Sequence, residues 1–188
     1  MTNHTINPDT KALEDAFFAR ESERLLRELR AKAEREQERA ALKEAIHGAD
    51  DALLDHLLDL GVNSRTVLAL GIVPLAAVAW ADGTLEPKER EAILRAARER
   101  GVIQGGSGQE MLEVWLKEKP GPVLMEAWKR YVSSLWAQLG EAERRELAGE
   151  ILGGARAVAE AAGGFLGLGK KVSEAEAAVL DDLAGVLK

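Results

Sequence analysis

The chain contains no cysteine, which excludes a disulfide framework, a thiol nucleophile and any cysteine metal site. Its three histidines, His4, His47 and His56, all fall in the N-terminal third, and no nucleophile motif surrounds them. Neither G-x-S-x-G nor H-E-x-x-H occurs, so no recognised catalytic arrangement is present and the expectation is a protein that is not an enzyme. Aromatic residues make up 4% of the chain and β-branched residues are sparse. No segment alternates apolar and polar residues as a half-buried strand would. Basic residues are outnumbered by acidic ones, 25 to 32, for a net charge of −7, which argues against nonspecific binding to nucleic acid. The longest run without a polar side chain is the 15 residues from Val67 to Ala81, shorter than the ~20 a bilayer span needs. No membrane span is expected, although association with a membrane surface stays open. Met1-Thr2-Asn3-His4 lacks the basic and apolar regions of a secretory signal, so a cytoplasmic location is expected.

Alanine, leucine, glutamate and arginine dominate what is present, with apolar residues at helical spacing nearly throughout. The fold class that follows is all-α, a bundle of about seven to eight helices. A length of 188 residues suffices for one domain with a proper core plus an appendage. Residues 1–48 carry 9 basic and 10 acidic groups and residues 49–188 carry 16 and 22, so the net acidity belongs to the compact part.

Residues 1–10 read as disordered. From Lys11 to His47 no glycine or proline interrupts, and 37 helical residues would span about 55 Å, more than the width of a domain this size. Leu13, Phe17, Phe18, Leu25, Leu26 and Leu29 give its first part an apolar face, whereas Arg30 to Glu44 is mostly charge with alanine between. As a heptad seam, Leu26, Leu29, Ala33 and Ala40 fit, but Glu36 or Gln37 and Lys43 interrupt it. The segment 11–48 is therefore expected as a charged helical extension of a domain at 49–188. In that domain Ala49–Leu60 reads as a short helix with Asp51, Asp55 and Asp59 on a water-facing side. Asn63 or Ser64 should cap the next helix, and Pro74 should kink or divide it. Ser107 with Glu110 reads as a capping box, and Trp115, Trp128, Tyr131 and Trp136 as core.

The most informative stretch runs from Val78 to Leu94. Small apolar residues lead up to Asp82, and Gly83 can take the positive φ that ends a helix. Glu86 stands at an N-cap position, Pro87 at the first helical position and Glu89 at the third. Val158-Ala159-Glu160-Ala161-Ala162-Gly163 lies over Val78-Ala79-Trp80-Ala81-Asp82-Gly83, and Ser173 and Glu176 lie over Glu86 and Glu89. The second copy has a longer loop and Ala162 in place of Asp82. Such a pair of helix–turn–helix units is expected to pack as pseudo-repeats, with Ile93, Leu94, Val179 and Leu180 in a shared core. The pattern A-D-G-x-L-x-x-x-E followed by an apolar pair resembles the motif of the tellurite-resistance TerB-like family, and the resemblance covers roughly residues 49–187.

That resemblance implies a non-enzymatic interaction or scaffold module with a protein partner, in a stress-response or membrane-associated system. It also carries over Asp82 and Glu89 as candidate ligands of a divalent cation, although an EF-hand loop would need more oxygen ligands ahead of its last glutamate. A cation-responsive regulator is thus one alternative function and an enzyme with an unrecognised site another; oligomeric state stays open. Gly164-Phe165-Leu166-Gly167-Leu168-Gly169-Lys170 has the spacing of a phosphate loop. Lys171 stands where Ser or Thr would meet magnesium, and the loop follows a helix rather than a strand. The expectation is a loop folded onto the bundle, with no nucleotide and no other cofactor.

Overall fold

In a computed structural model of the protein, residues 8–162 and 172–188 are described, and among them every regular element is helical. The elements are α1 (Pro8–Ala45), α2 (Asp51–Asp59), a 3-10 helix (Val67–Ile72), α3 (Val73–Ala79), α4 (Pro87–Glu99), α5 (Ser107–Trp115), α6 (Pro122–Trp136), α7 (Glu141–Ala162) and α8 (Glu174–Val186). The expected all-α class with a long first helix is what the chain adopts. That helix begins at Pro8, inside the stretch expected to be disordered. The loop expected at Gly164–Lys171 lies outside the described residues.

The bundle is organised around α3. Six of its seven residues are buried, and α4, α6, α7 and α8 all pack against it. The run Val67–Ala81 is divided as Pro74 requires. Proline lacks an N–H and clashes with the preceding turn, so the chain runs as a 3-10 helix to Ile72 and starts afresh with Pro74 in the first turn of α3. Asn63 does not cap a helix in the expected way; its side chain accepts from Arg65 N at 3.0 Å in a local turn, and Thr66 leads into the 3-10 helix. The capping box expected at Ser107 is absent, because Gly106 is the N-cap of α5 and Gln109 instead receives Gly105 N at 2.8 Å.

Against α3, helices α4 and α7 lie side by side, with α8 across α7. Ile93, Ala155, Val158, Ala159 and Leu183 join Leu75 and Val78 in one core, in which Leu180 is also buried and Leu94 and Val179 are half-buried. On the far side α6 packs Leu124, Ala127 and Trp128 inward and meets α2. Of the expected core aromatics, Trp128 and Trp115 are buried, while Tyr131 and Trp136 are half-buried against the core.

The first helix is not wholly an appendage. Leu42 and Ile46, near and just after its end, are 0% and 1% exposed and belong to the core, so the expected boundary at residue 48 cuts through packed side chains. Just beyond, Gly48 turns the chain at φ +77°. That region favours glycine, and the flexible side chain of Gln138, which donates to His47 O, lies where a Cβ at Gly48 would sit.

On its acidic side helix α2 forms solvent-accessible ion pairs with α1. Asp51 lies 3.1 Å from Arg39 and 3.4 Å from Lys43, Asp55 lies 3.2 Å from Arg39, and Asp59 lies 2.9 Å from Arg35. The three aspartates and the three cations are each spaced four residues apart, so both sets line one helix face and interleave. The guanidinium of Arg39, with Lys43 beside it, holds the Asp51 carboxyl below the usual carboxylate range. The three aspartate side chains stay open to solvent, as expected, and in addition pair with the cations of α1.

Candidate functional site

The turn between α3 and α4 is built by local chemistry. Asp82 accepts from Thr84 N at 2.9 Å and from Thr84 Oγ1 at 3.0 Å, an Asx-type turn. Gly83 adopts φ +95°, a region that L side chains avoid. Leu85 is half-buried and packs beneath the turn against the core, and extended backbone at Glu86 leads into Pro87 in the first turn. Glu89 then reaches back: its Oε2 accepts from Glu86 N at 2.8 Å. The same device opens α8, where Ser173 N donates to Glu176 Oε2 at 2.6 Å and Glu176 N donates to Ser173 Oγ at 3.2 Å.

The two boxes meet inside the protein. Glu89 is 3% exposed and Glu176 6%, and their carboxyl groups are within hydrogen-bonding reach of each other. Burial, together with the second carboxyl group, pushes Glu89 up to about 7. A buried carboxyl group facing a second one is harder to ionise, so Glu89 keeps its proton to higher pH than an exposed glutamate does. The groups that act on Glu89 are Glu176 and Glu86, whereas Asp82 is turned outward to Thr84 and is exposed. The two candidate cation ligands therefore serve separate hydrogen-bond systems, Asp82 in the turn and Glu89 in the buried pair. Among the described residues, no group of three or more His, Asp or Glu side chains is gathered to hold a metal ion.

Beside the pair, a groove of about 720 Å³ runs between α4 and α7. Lys88, Arg95 and Arg100 line it together with Glu91, Glu99 and Glu150, over a floor of Gly154, Ala157 and Ala161. Its cations and carboxylates are equal in number, so it selects no ligand by charge. Glu89 is not among its lining residues.

The second candidate is the outer half of α1. At 38 residues the helix is about 57 Å long, and its packing on α2 begins near Arg35. Beyond that point Leu13, Phe17, Phe18, Leu25, Leu26 and Leu29 are each between 46% and 72% exposed. The described residues include ten exposed large apolar side chains, and these six lie within 17 positions of one helix. Singly exposed apolar residues are ordinary on a protein surface; a contiguous set is the mark of an interaction surface. Phe17 and Phe18 meet edge to face at 5.8 Å, and Arg24 bridges Glu21 and Glu28 along the same helix. These contacts are all internal to α1.

Sequence reasoning found both capping boxes and the apolar face, but it did not place Glu89 against Glu176. The available signal was that both stand at the third helical position of their boxes in the register that overlays the two stretches. For the α1–α2 ladder the corresponding signal was the matching four-residue spacing of 35, 39, 43 and 51, 55, 59, which does not by itself say that the two helices meet. No helix among the described residues is long and apolar enough to cross a membrane. Comparison of the chain with protein-family models, with curated proteins and with solved structures gives no match.

Proposed function

We propose that the chain is a non-enzymatic helical interaction module of the TerB-like type that engages a protein partner through the outer half of α1. The observation that carries this reading is the concentration of exposed apolar side chains on a helix that runs clear of the bundle. A bundle that needed α1 only for its core would need no apolar side chains outside the packed part that begins near Arg35; instead six exposed ones lie between Leu13 and Leu29. The role in a stress-response or membrane-associated system follows from the resemblance in the turn at Asp82–Glu89 and is part of the proposal.

A photo-reactive residue placed at Leu25 tests it. In a lysate of cells making the full chain, irradiation is expected to join α1 to a discrete protein identified by mass spectrometry. The same residue at Gln104, exposed in the α4–α5 loop, serves as control. If Leu25 captures nothing that Gln104 does not, the docking reading is wrong.

A further inference from the structure

We infer that the partner of α1 is a second copy of the same helix, paired antiparallel; this rests on the docking reading above and names its occupant. The argument begins with the charge along the free part of the helix. Residues 13–23 carry four acidic side chains and one basic, and residues 24–32 carry four basic and one acidic. Two copies laid parallel would stack acidic half on acidic half and basic on basic. Laid antiparallel, each acidic half covers a basic half, and the helix dipoles also oppose.

The apolar register agrees with that orientation. Phe18, Ser22, Leu25 and Leu29 follow one another at spacings of four, three and four, the seam spacing of paired helices. All four are exposed. Reversing one copy about the midpoint of this set puts Phe18 opposite Leu29 and Ser22 opposite Leu25. One step farther out along the same seam stand Asp15 and Lys32, both exposed. In the antiparallel register Asp15 of each copy faces Lys32 of the other, closing both ends of the seam with opposite charges. In a parallel register Asp15 would face Asp15 and Lys32 would face Lys32. The interruption at Glu36 falls where α1 turns to its own bundle, so it limits the seam without opposing it. The pairing sets the two bundles at opposite ends of a short two-helix rod.

The chain has no cysteine, so introduced thiols report orientation cleanly. By sedimentation equilibrium the full-length protein is expected to have the mass of two 20.3 kDa chains at tens of micromolar, and L25E/L29E to be a monomer with an unchanged thermal transition. Under mild oxidation a mixture of D15C and K32C is expected to give a cross-linked heterodimer, whereas neither variant alone does. Charge reversal supplies an independent arm. R24E/R27E/R30E is expected to weaken self-association at least tenfold, and E14R/D15R/E21R likewise. Their equimolar mixture is expected to regain it. A monomeric wild-type protein overturns the self-pairing, as does D15C cross-linking to itself or a captured protein at Leu25 that is not this chain. The last outcome would leave the docking reading standing, whereas a Leu25 probe that captures nothing removes both.

Discussion

Glu89 and Glu176, 87 positions apart in the chain, bury their carboxyl groups against each other while each closes the first turn of its own helix. Capping ordinarily favours the ionised form, since a carboxylate accepts from the backbone more strongly than a carboxylic acid does. Here burial and the facing carboxyl group outweigh that, and Glu89 titrates near 7. The two carboxyl groups thus bring the start of α4 to the start of α8, two elements that otherwise meet chiefly through α3 and α7.

The consequence is a dependence of stability on pH with a definite sign. The folded pKa of Glu89 lies above its unfolded value of 4.5, so the folded state holds its proton more tightly. That contribution is complete below about pH 4.5 and is lost as pH rises through about 7. Asp51 acts oppositely: its pKa is lowered by Arg39 and Lys43, so its contribution is present at neutral pH and lost in acid. Melting temperature is expected to peak in mildly acidic solution and to fall between pH 5 and pH 8. Glu89→Gln, which cannot ionise, should flatten the fall on the alkaline side. A wild-type melt that stays level from pH 5 to pH 8 would show that Glu89 does not keep its proton to higher pH.

Helix α1 is expected to divide sharply between its two halves. Leu42→Ala removes a fully buried side chain and should cost about 2–5 kcal/mol, the usual range for a core leucine. Leu13→Ala, at a position 72% exposed, should change stability by less than about 0.5 kcal/mol in dilute solution. A chain shortened to begin at Lys32 should keep its cooperative transition, since the packed residues start at Arg35. Denaturant titration of the three proteins decides the matter.

Elements with local causes were legible in the sequence. Pro74 announced the division of the central run, and Glu86-Pro87-x-Glu89 and Ser173-x-x-Glu176 announced two helix starts. What escaped was nonlocal. Nothing within Asp51–Asp59 tells that its solvent-accessible aspartates also pair with cations of α1, because that depends on where another helix lies. Glu89 and Glu176 each read as part of a helix cap, and their burial depends on how distant elements pack. At α5 the box at Ser107 failed because Gly106, which carries no side chain to clash, takes the extended N-cap conformation one residue earlier.

The ladder between α1 and α2 should respond to salt. Arg39 touches both Asp51 and Asp55, which makes it the central rung. Arg39→Gln is expected to lower the melting temperature modestly at low ionic strength. The difference should shrink in 1 M salt, where the screening length is about 3 Å. A double-mutant cycle with Asp55→Asn measures the coupling. Additive single effects, with no salt dependence, would mean that the rungs are merely adjacent.

Asp82 distinguishes the turn from a cation site. Its carboxylate receives Thr84 N and Thr84 Oγ1, so Asp82→Ala should cost about 0.5–1.5 kcal/mol, the net worth of a hydrogen bond in a folded protein. Asp82→Asn keeps an acceptor oxygen of the same reach and should recover most of that loss. Both effects should be the same with calcium, with magnesium and with a chelator, because the partner of the side chain is the turn itself. A bound cation would behave differently. At a hundredfold excess over its dissociation constant it would stabilise the wild type by about 2.7 kcal/mol, and Asp82→Asn would abolish that gain. Glu89→Gln gives a second reading on the same question. If Asp82 and Glu89 shared a cation, both variants would lose the metal-dependent rise together. If they serve separate systems, as the geometry places them, Asp82→Asn leaves the fall between pH 5 and pH 8 unchanged and Glu89→Gln flattens it. A melt that rises with calcium or magnesium in the wild type but in neither variant would overturn this assignment.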